Sequence, residues 1–598
     1  MKWNIRFEER VIRLNLILFL KQVDAVNAQL TKERLAEFIH EWARGLPESQ
    51  RHEFLSELSG GLRTESLSEN PETGEKSESL PDECAATLAD LERISAGDLR
   101  LTAQFNEEYD DWYSDSEEFL YEDPHGVGAV IDGAIELAHK RMDCEEYGDA
   151  YALGDALIGV CVSVEDDGEY DYDEFGLFDM KDAKMISGDL RRLVLETLCA
   201  AYMTVSPEQR PETLYRLFEQ SQSENVSLED ALQSAGKELP GIADFLKSWV
   251  AYLGGIKGEL SRRLFEEAVF LRDDREAALR AASDYADTHP GLYEKILLTE
   301  RESGNTEFLF TLGQEALARL QPNLMVRSRI ALLTAENALR IGNPDAAEQC
   351  WLEAFRSNPA PLNYLRLCTE SRDFSRFRDE ARNIYRTRAG QDSHSSIWDA
   401  EKDELSENSV SKWDFHTLNF LDGDFHSVLS EGMNERAPLG WSSTFMKQGI
   451  TLFLLYLYRG ERLENGLRYL CGKHGISFSW QEYAKGLTRP VTQSNEELFW
   501  ERFRIWREGV PMPDELQNQM IPRLTEWLEL RVAGIMSANR RKYYDECAGF
   551  VAALGEVKES RGEPDGKQME LLAWKAKYSR RTAFHEELRR FGMNDGKR

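Results

Sequence analysis

The sequence has few cysteines and no long apolar run. Its 598 residues include eight cysteines, and no two of them are spaced as in a C-x-x-C pair. So few thiols in a long chain indicate reduced cysteines rather than a disulfide framework. The longest apolar stretches, residues 14–20 and 450–458, are much shorter than the roughly 20 residues that span a bilayer. We therefore expect a soluble, cytoplasmic protein without disulfides and without a membrane partner.

Positive charge is also scarce. The chain has 72 Lys and Arg against 107 Asp and Glu, a net charge of −35. Such an acidic surface repels a phosphate backbone, so direct nucleic-acid binding is not expected. The deficit is uneven, because residues 447–598 carry 26 basic and 21 acidic residues and residues 1–446 carry 46 and 86. This asymmetry indicates two parts with different partners, or two parts that attract each other.

Catalytic motifs are missing as well. The chain contains no G-x-x-x-x-G-K-[ST] phosphate loop, no G-x-S-x-G nucleophile turn and no H-E-x-x-H zinc helix. Cys471 and His474 form the closest Cys/His pair, and zinc needs two further ligands that the nearby sequence does not supply. We expect no cofactor, no metal and no catalytic residue. A binding or switching protein is favoured over an enzyme.

What the sequence does contain is helical periodicity, which predicts an all-α fold. Two acidic, aromatic stretches at residues 107–123 and 165–174 are predicted to be solvated loops. Calcium binding and docking of a basic protein are the alternatives for them. The predicted organisation is N-terminal helices at 1–60, an acidic Ser-rich linker at 61–83, an acidic helical domain at 84–265, helical repeats at 266–387, an irregular connector at 388–447 and a basic helical domain at 448–598.

Residues 266–387 carry a repeat signal. Three helical segments end in proline, at Pro290, Pro322 and Pro359, with spacings of 32 and 37 residues. These spacings are close to the tetratricopeptide period of about 34 residues. The last unit fits best, with a turn at residues 342–344 and small or aromatic residues where paired helices pack closely, namely Ala335, Ala338, Ala347, Trp351 and Ala354. Such arrays present a groove to partner proteins.

The layout as a whole resembles a known system. An acidic helical part is joined to a smaller, basic helical part near Met446-Lys447, in the run WSSTFMKQG. This resembles the protein substrate of the type III-E CRISPR RNA-guided caspase-like protease, called Craspase. The resemblance implies that an RNA-activated protease cuts the chain once, after Met446 and before Lys447. It also implies binding to a sigma factor or an accessory protein, and release of a C-terminal fragment.

Two other Met-Lys dipeptides, Met1-Lys2 and Met180-Lys181, do not lie at the charge boundary. The alternative function is a passive tetratricopeptide-like scaffold for protein–protein interaction. If the chain is a protease substrate, we expect Met446→Ala and Lys447→Ala to slow cutting without lowering the melting temperature.

Overall fold

The fold is known from a computed structural model. The chain divides into two units, Met1–Asp82 and Glu83–Arg598. The structure describes the second unit at residues 83–105, 119–165, 175–234, 236, 239–390, 409–476, 480–488 and 494–596. The predicted N-terminal helices at 1–60 and the linker at 61–83 therefore lie, except for residue 83, outside the described residues. Helices dominate what is described, and the prediction of an all-α fold is confirmed.

The first region combines helices with two small sheets that the sequence did not predict. The strands are β1 (Leu101–Phe105), β2 (Phe119–Glu122), β3 (Cys161–Val162), β4 (Val164–Glu165) and β5 (Phe175–Gly176). The three-stranded sheet has the order β2-β1-β4, with β1 antiparallel to β2 and parallel to β4, and β3 pairs antiparallel with β5. The helices are α1 (Glu83–Ser95), α2 (Val127–Asp143), α3 (Tyr147–Ile158), α4 (Leu177–Asp182), α5 (Leu190–Thr204), α6 (Arg210–Gln220), α7 (Leu228–Gln233) and α8 (Ile242–Leu253), with a 3-10 turn at Gln222–Glu224.

The predicted acidic loop at 107–123 needs correction at its C-terminal end. Residues 119–122 form β2, which pairs with β1 so that Thr102 lies opposite Glu122. Asp123 then caps α2, because its carboxylate accepts hydrogen bonds from the backbone N–H groups of Val127 and Gly128 at 2.7 and 2.8 Å. Residues 106–118 and 166–174 lie outside the described residues.

A run of paired helices follows. Helix α13 (Met325–Arg340) packs against the helix before it and the helix after it, and α14 (Pro344–Ser357) packs against α15 (Pro361–Glu370) and α16 (Ser375–Arg388). The predicted turn is confirmed: Gly342 has φ of 76°, and the Asn343 side chain caps α14 by accepting from Ala346 N at 3.1 Å. The predicted small residues are fully buried between the helices. The helices are α9 (Glu259–Leu271), α10 (Arg275–Asp284), α11 (Gly291–Thr299), α12 (Thr306–Arg319), α13 (Met325–Arg340), α14 (Pro344–Ser357), α15 (Pro361–Glu370) and α16 (Ser375–Arg388), with a 3-10 turn at Glu300–Ser303.

Of the irregular connector predicted at 388–447, the structure describes residues 388–390 and 409–447, and these are in large part helical. Its described residues 409–432 form α17 and α18 and a π-helical turn, because Leu418, Phe420 and Leu421 supply a buried face. Residues 433–445 contain no α-helix. This last region comprises α17 (Lys412–Leu421), α18 (Phe425–Ser427), the π turn Val428–Gly432, the 3-10 helix Pro438–Ser443, α19 (Met446–Leu457), α20 (Asn465–Lys473), α21 (Trp480–Ala484), α22 (Asn495–Gly509), α23 (Asp514–Ser537), the 3-10 turn Arg541–Tyr543, α24 (Tyr544–Ser560), α25 (Gly566–Lys577) and α26 (Thr582–Arg590).

One hydrophobic core runs through most of the described chain. It extends from Ile158 to Val557 and includes residues of the repeat helices, of α17 and of α19 to α24. Smaller clusters lie at residues 84–193 and 532–593. The predicted boundaries at 265/266, 387/388 and 447/448 are thus not breaks in the core. None of the described helices has the length and apolar character needed to cross a membrane.

The contact between α12 and α13 gives a stability prediction. A Cβ atom on Gly313 would lie 2.0 Å from Thr334 Oγ1 and 2.9 Å from its Cβ, and Thr334 is fully buried. We expect Gly313→Ala to destabilise the protein by about 1–3 kcal/mol, because the two helices must move apart. Chemical denaturation measures this effect.

Gly133 provides the matched control. It lies inside α2, is exposed, and has no atom within 4 Å of its added Cβ. Gly133→Ala should stabilise by about 0.5–1 kcal/mol through helix propensity. Equal effects of the two substitutions would contradict the close packing at Gly313.

Candidate functional site

The Met446–Lys447 peptide bond lies at the N-terminal end of α19. Phe445 precedes the helix with φ of −72° and ψ of 0°, so the bond lies in the first helical turn. The Met446 side chain is 0 % exposed and the Lys447 side chain 13 % exposed. The sequence placed this dipeptide in a connector, and the structure places it where an irregular segment enters the core.

The segment before the bond lies on α23. The backbone carbonyl of Pro438 accepts a hydrogen bond from Arg531 Nη1. Gly534, one turn further along α23, allows this approach, since a Cβ there would lie 2.6 Å from Pro438 Cγ. Trp441 is buried, whereas the next residue, Ser442, is exposed. The segment is therefore a surface strap with two buried aromatic anchors, Trp441 and Phe445.

A buried ionic group holds the residue after the bond. Lys447 Nζ lies 2.6 Å from Glu546 Oε2, and Arg531 donates to Glu546 Oε1 from Nη2 at 2.6 Å and from Nε at 3.1 Å. The Tyr543 ring lies 5.4 Å from Lys447 Nζ and 5.3 Å from Arg531 Cζ. Two cations thus share one carboxylate and one aromatic ring. We call Lys447, Arg531, Tyr543 and Glu546 the junction cluster.

His474 lies against this cluster through Thr451. The Thr451 hydroxyl donates to the Lys447 carbonyl at 2.8 Å and lies 2.9 Å from His474 Nδ1, which therefore donates its proton to the hydroxyl. Burial lowers the pKa of His474 to about 4. The nearby carboxylate of Glu546 raises this pKa and the cation of Lys447 lowers it, so burial decides the direction of the shift. The imidazole is therefore neutral at pH 7.

The Cys/His pair considered from the sequence does not form a reactive site. Cys471 is buried, and burial raises the pKa of its thiol to about 12, so the nucleophilic thiolate is scarce at neutral pH. The His474 ring bonds to Thr451 instead. Among the described residues, no group of three or more His, Cys, Asp or Glu side chains is placed to hold a metal ion.

Sequence reasoning identified Met446 and Lys447 but missed the other members of the junction cluster. Glu546 is 99 residues away from Lys447 in the chain, and no local motif signals their pairing. The expectation that alanine at position 446 or 447 leaves the melting temperature unchanged is also corrected. Both side chains are largely buried, so their loss removes core packing or a buried ion pair.

No protein family matches the sequence, and a search of curated proteins finds no significant match.

The junction cluster predicts a large effect of Arg531. Arg531→Met leaves Glu546 with one cation and removes the hydrogen bond to Pro438, so we expect a loss of about 3–5 kcal/mol in unfolding free energy. Lys577→Met is the control. Lys577 pairs with Glu529, which lies on α23 like Arg531, but both side chains of this pair are about half exposed. That pair should contribute less than about 1 kcal/mol. Similar losses in both variants would show that the junction cluster contributes no more to stability than an exposed ion pair.

His474 predicts a pH dependence of stability. Its pKa is 6.5 in the unfolded chain and about 4 in the folded one, so the unfolded state binds more protons between these values. Stability should fall by up to about 2–3 kcal/mol as pH drops from 6.5 to 4. Denaturation curves of the wild type and of His474→Gln across this range test the assignment. A variant with the same slope as the wild type would contradict it.

Proposed function

We propose that this chain is a non-enzymatic regulatory protein of a CRISPR antiviral defence system, cut by an RNA-activated caspase-like protease between Met446 and Lys447. One observation carries the proposal. The bond lies both at the change from acidic to basic composition and at the transition from an exposed strap to a buried helix. A cut there disconnects a part of net charge −40 from a part of net charge +5.

Access to the bond requires local opening. A protease binds roughly eight residues in extended form, and Met446 is buried. The strap at residues 434–445 must therefore leave α23, which breaks the hydrogen bond from Arg531 to Pro438 and exposes Trp441. Opening of the strap, rather than chemistry alone, then limits the rate of cutting.

The cut itself changes the junction chemically. Hydrolysis converts a buried amide into a carboxylate on Met446 and an ammonium group on Lys447. An ammonium group at a helix N-terminus opposes the helix dipole, and it would join Lys447 Nζ and Arg531 around a single carboxylate. Burying such charges costs several kcal/mol, so the new ends move into water. This opening is the signal that we assign to the cut.

The two fragments have different partner preferences. Residues 1–446 are strongly acidic, which favours a basic partner such as a sigma factor through charge complementarity. The fragments also share a core, since residues on both sides of the bond belong to one hydrophobic cluster. We propose that release of the C-terminal fragment follows when a partner binds the opened junction.

Incubation with an RNA-activated type III-E effector complex, followed by intact-mass analysis, tests the proposal. We expect two fragments that divide after Met446, and none with a protease-inactive complex. Met180→Ala should be cut as fast as the wild type, because Met180-Lys181 lies inside α4 with no connection to the junction.

Gly534→Ala tests the opening step. The added methyl group displaces Pro438 and loosens the strap, so cutting should accelerate severalfold. An uncut, folded wild-type chain would overturn the function. Normal cutting with no acceleration in Gly534→Ala would overturn only the opening step.

A further inference from the structure

Residues 480–488 lie against the helix pairs of the repeat region. They contact α13, α14 and α15, which belong to a part of the chain more than 100 residues earlier. A pocket of about 410 Å³ continues beside them between α13 and α15, with Arg329, Leu362 and Lys485 among its lining residues. We call this space with the surface under residues 480–488 the repeat groove.

A buried arginine holds the backbone of this segment. Arg366 donates from Nε to the Tyr483 carbonyl at 3.0 Å and from Nη2 to the Glu482 carbonyl at 2.6 Å. Its third acceptor is the amide oxygen of Asn363. The Arg366 side chain is fully buried, and these three acceptors are uncharged. A buried cation satisfied by main-chain carbonyls recognises a backbone conformation rather than a charged side chain.

Tyr483 supplies the side-chain contact. Its ring is buried, and its hydroxyl donates to Glu370 Oε1 at 2.7 Å and lies 2.6 Å from Thr369 Oγ1. Arg502 Nη1 lies 3.3 Å from the same Glu370 oxygen. A tyrosine at this position fills the groove with its ring and satisfies buried polar groups with its hydroxyl.

Gly486 fixes the spacing. Its φ is 82°, a conformation that favours glycine, and its carbonyl accepts a hydrogen bond from Trp351 Nε1 at 3.1 Å. A Cβ at this position would lie 3.0 Å from Leu332 Cδ2 and 3.3 Å from the Leu332 carbonyl oxygen. The groove therefore demands tyrosine and, three residues later, glycine.

We propose that the repeat groove is a peptide-binding site and that residues 480–488 are its tethered occupant. The ligand is a segment of a partner protein that carries Tyr-x-x-Gly and displaces residues 480–488. Helical arrays bind short segments in this way, and main-chain contacts give affinity while a few pockets give specificity. Tethering weakens apparent binding, because the internal segment competes at high effective concentration. This inference does not depend on the cut at Met446.

The test uses the full chain and a fluorescein-labelled peptide of residues 480–488, WQEYAKGLT. Fluorescence anisotropy compares the wild type with Gly486→Ala, in which the internal segment no longer fits. We expect the variant to bind the peptide at least tenfold more tightly than the wild type. A control peptide with the same Gly486→Ala change should bind the variant at least tenfold more weakly than WQEYAKGLT.

Three results would overturn the proposal. The first is equal affinity of the wild type and the variant for WQEYAKGLT, and the second is equal affinity of the variant for the two peptides. The third is loss of cooperative thermal unfolding in both Gly486→Ala and Tyr483→Ala, which would make the segment an integral part of the fold rather than a displaceable occupant.

Discussion

Helix α19 is the element on which the rest of the described structure depends. Every residue from Gly449 to Leu457 is buried, so the helix is apolar on all sides and must be covered on all sides. Helices α17, α20, α23 and α24 and the 3-10 strap provide this cover. Aromatic side chains fill the space between them, as where the Phe420 ring meets Phe453 at 5.2 Å and Trp506 at 5.4 Å. One core therefore serves both the acidic and the basic part of the chain.

Because α19 is buried on all sides, its first turn is sensitive to a break in the chain that creates charged ends. An amide bond costs less in such a place because it carries no net charge, whereas a pair of charged chain ends does not fit. Lys447 is tolerated because its Nζ pairs with the buried carboxylate of Glu546, which also binds Arg531. The intact junction is thus favoured over one that carries two charged ends, and the cut that we propose would use this difference.

Sequence reasoning reached the features that local patterns encode. The turn at residues 342–344 and the small residues between α13 and α14 follow from turn and packing patterns, and the structure has them. Sequence reasoning failed where contacts between distant parts of the chain determine the structure. The polar run at residues 388–413 predicts irregular structure because most of its residues are hydrophilic, yet α17, which begins at Lys412, packs its apolar face on the core. The junction cluster and the contacts of residues 480–488 join positions about 100 residues apart, and spacing cannot reveal them.

The most direct test of this account is hydrogen exchange on a protein that is produced already divided between residues 446 and 447, without any protease. Residues 1–446 and 447–598 are produced together as two polypeptides and compared with the intact chain. We expect the two to copurify as a one-to-one complex through the shared core. The first turn of α19 should exchange fast in the divided protein and slowly in the intact one, with residues 450–457 protected in both. Two separately folded polypeptides, or equal exchange at residues 446–449, would contradict the claim that the bond lies within a common core.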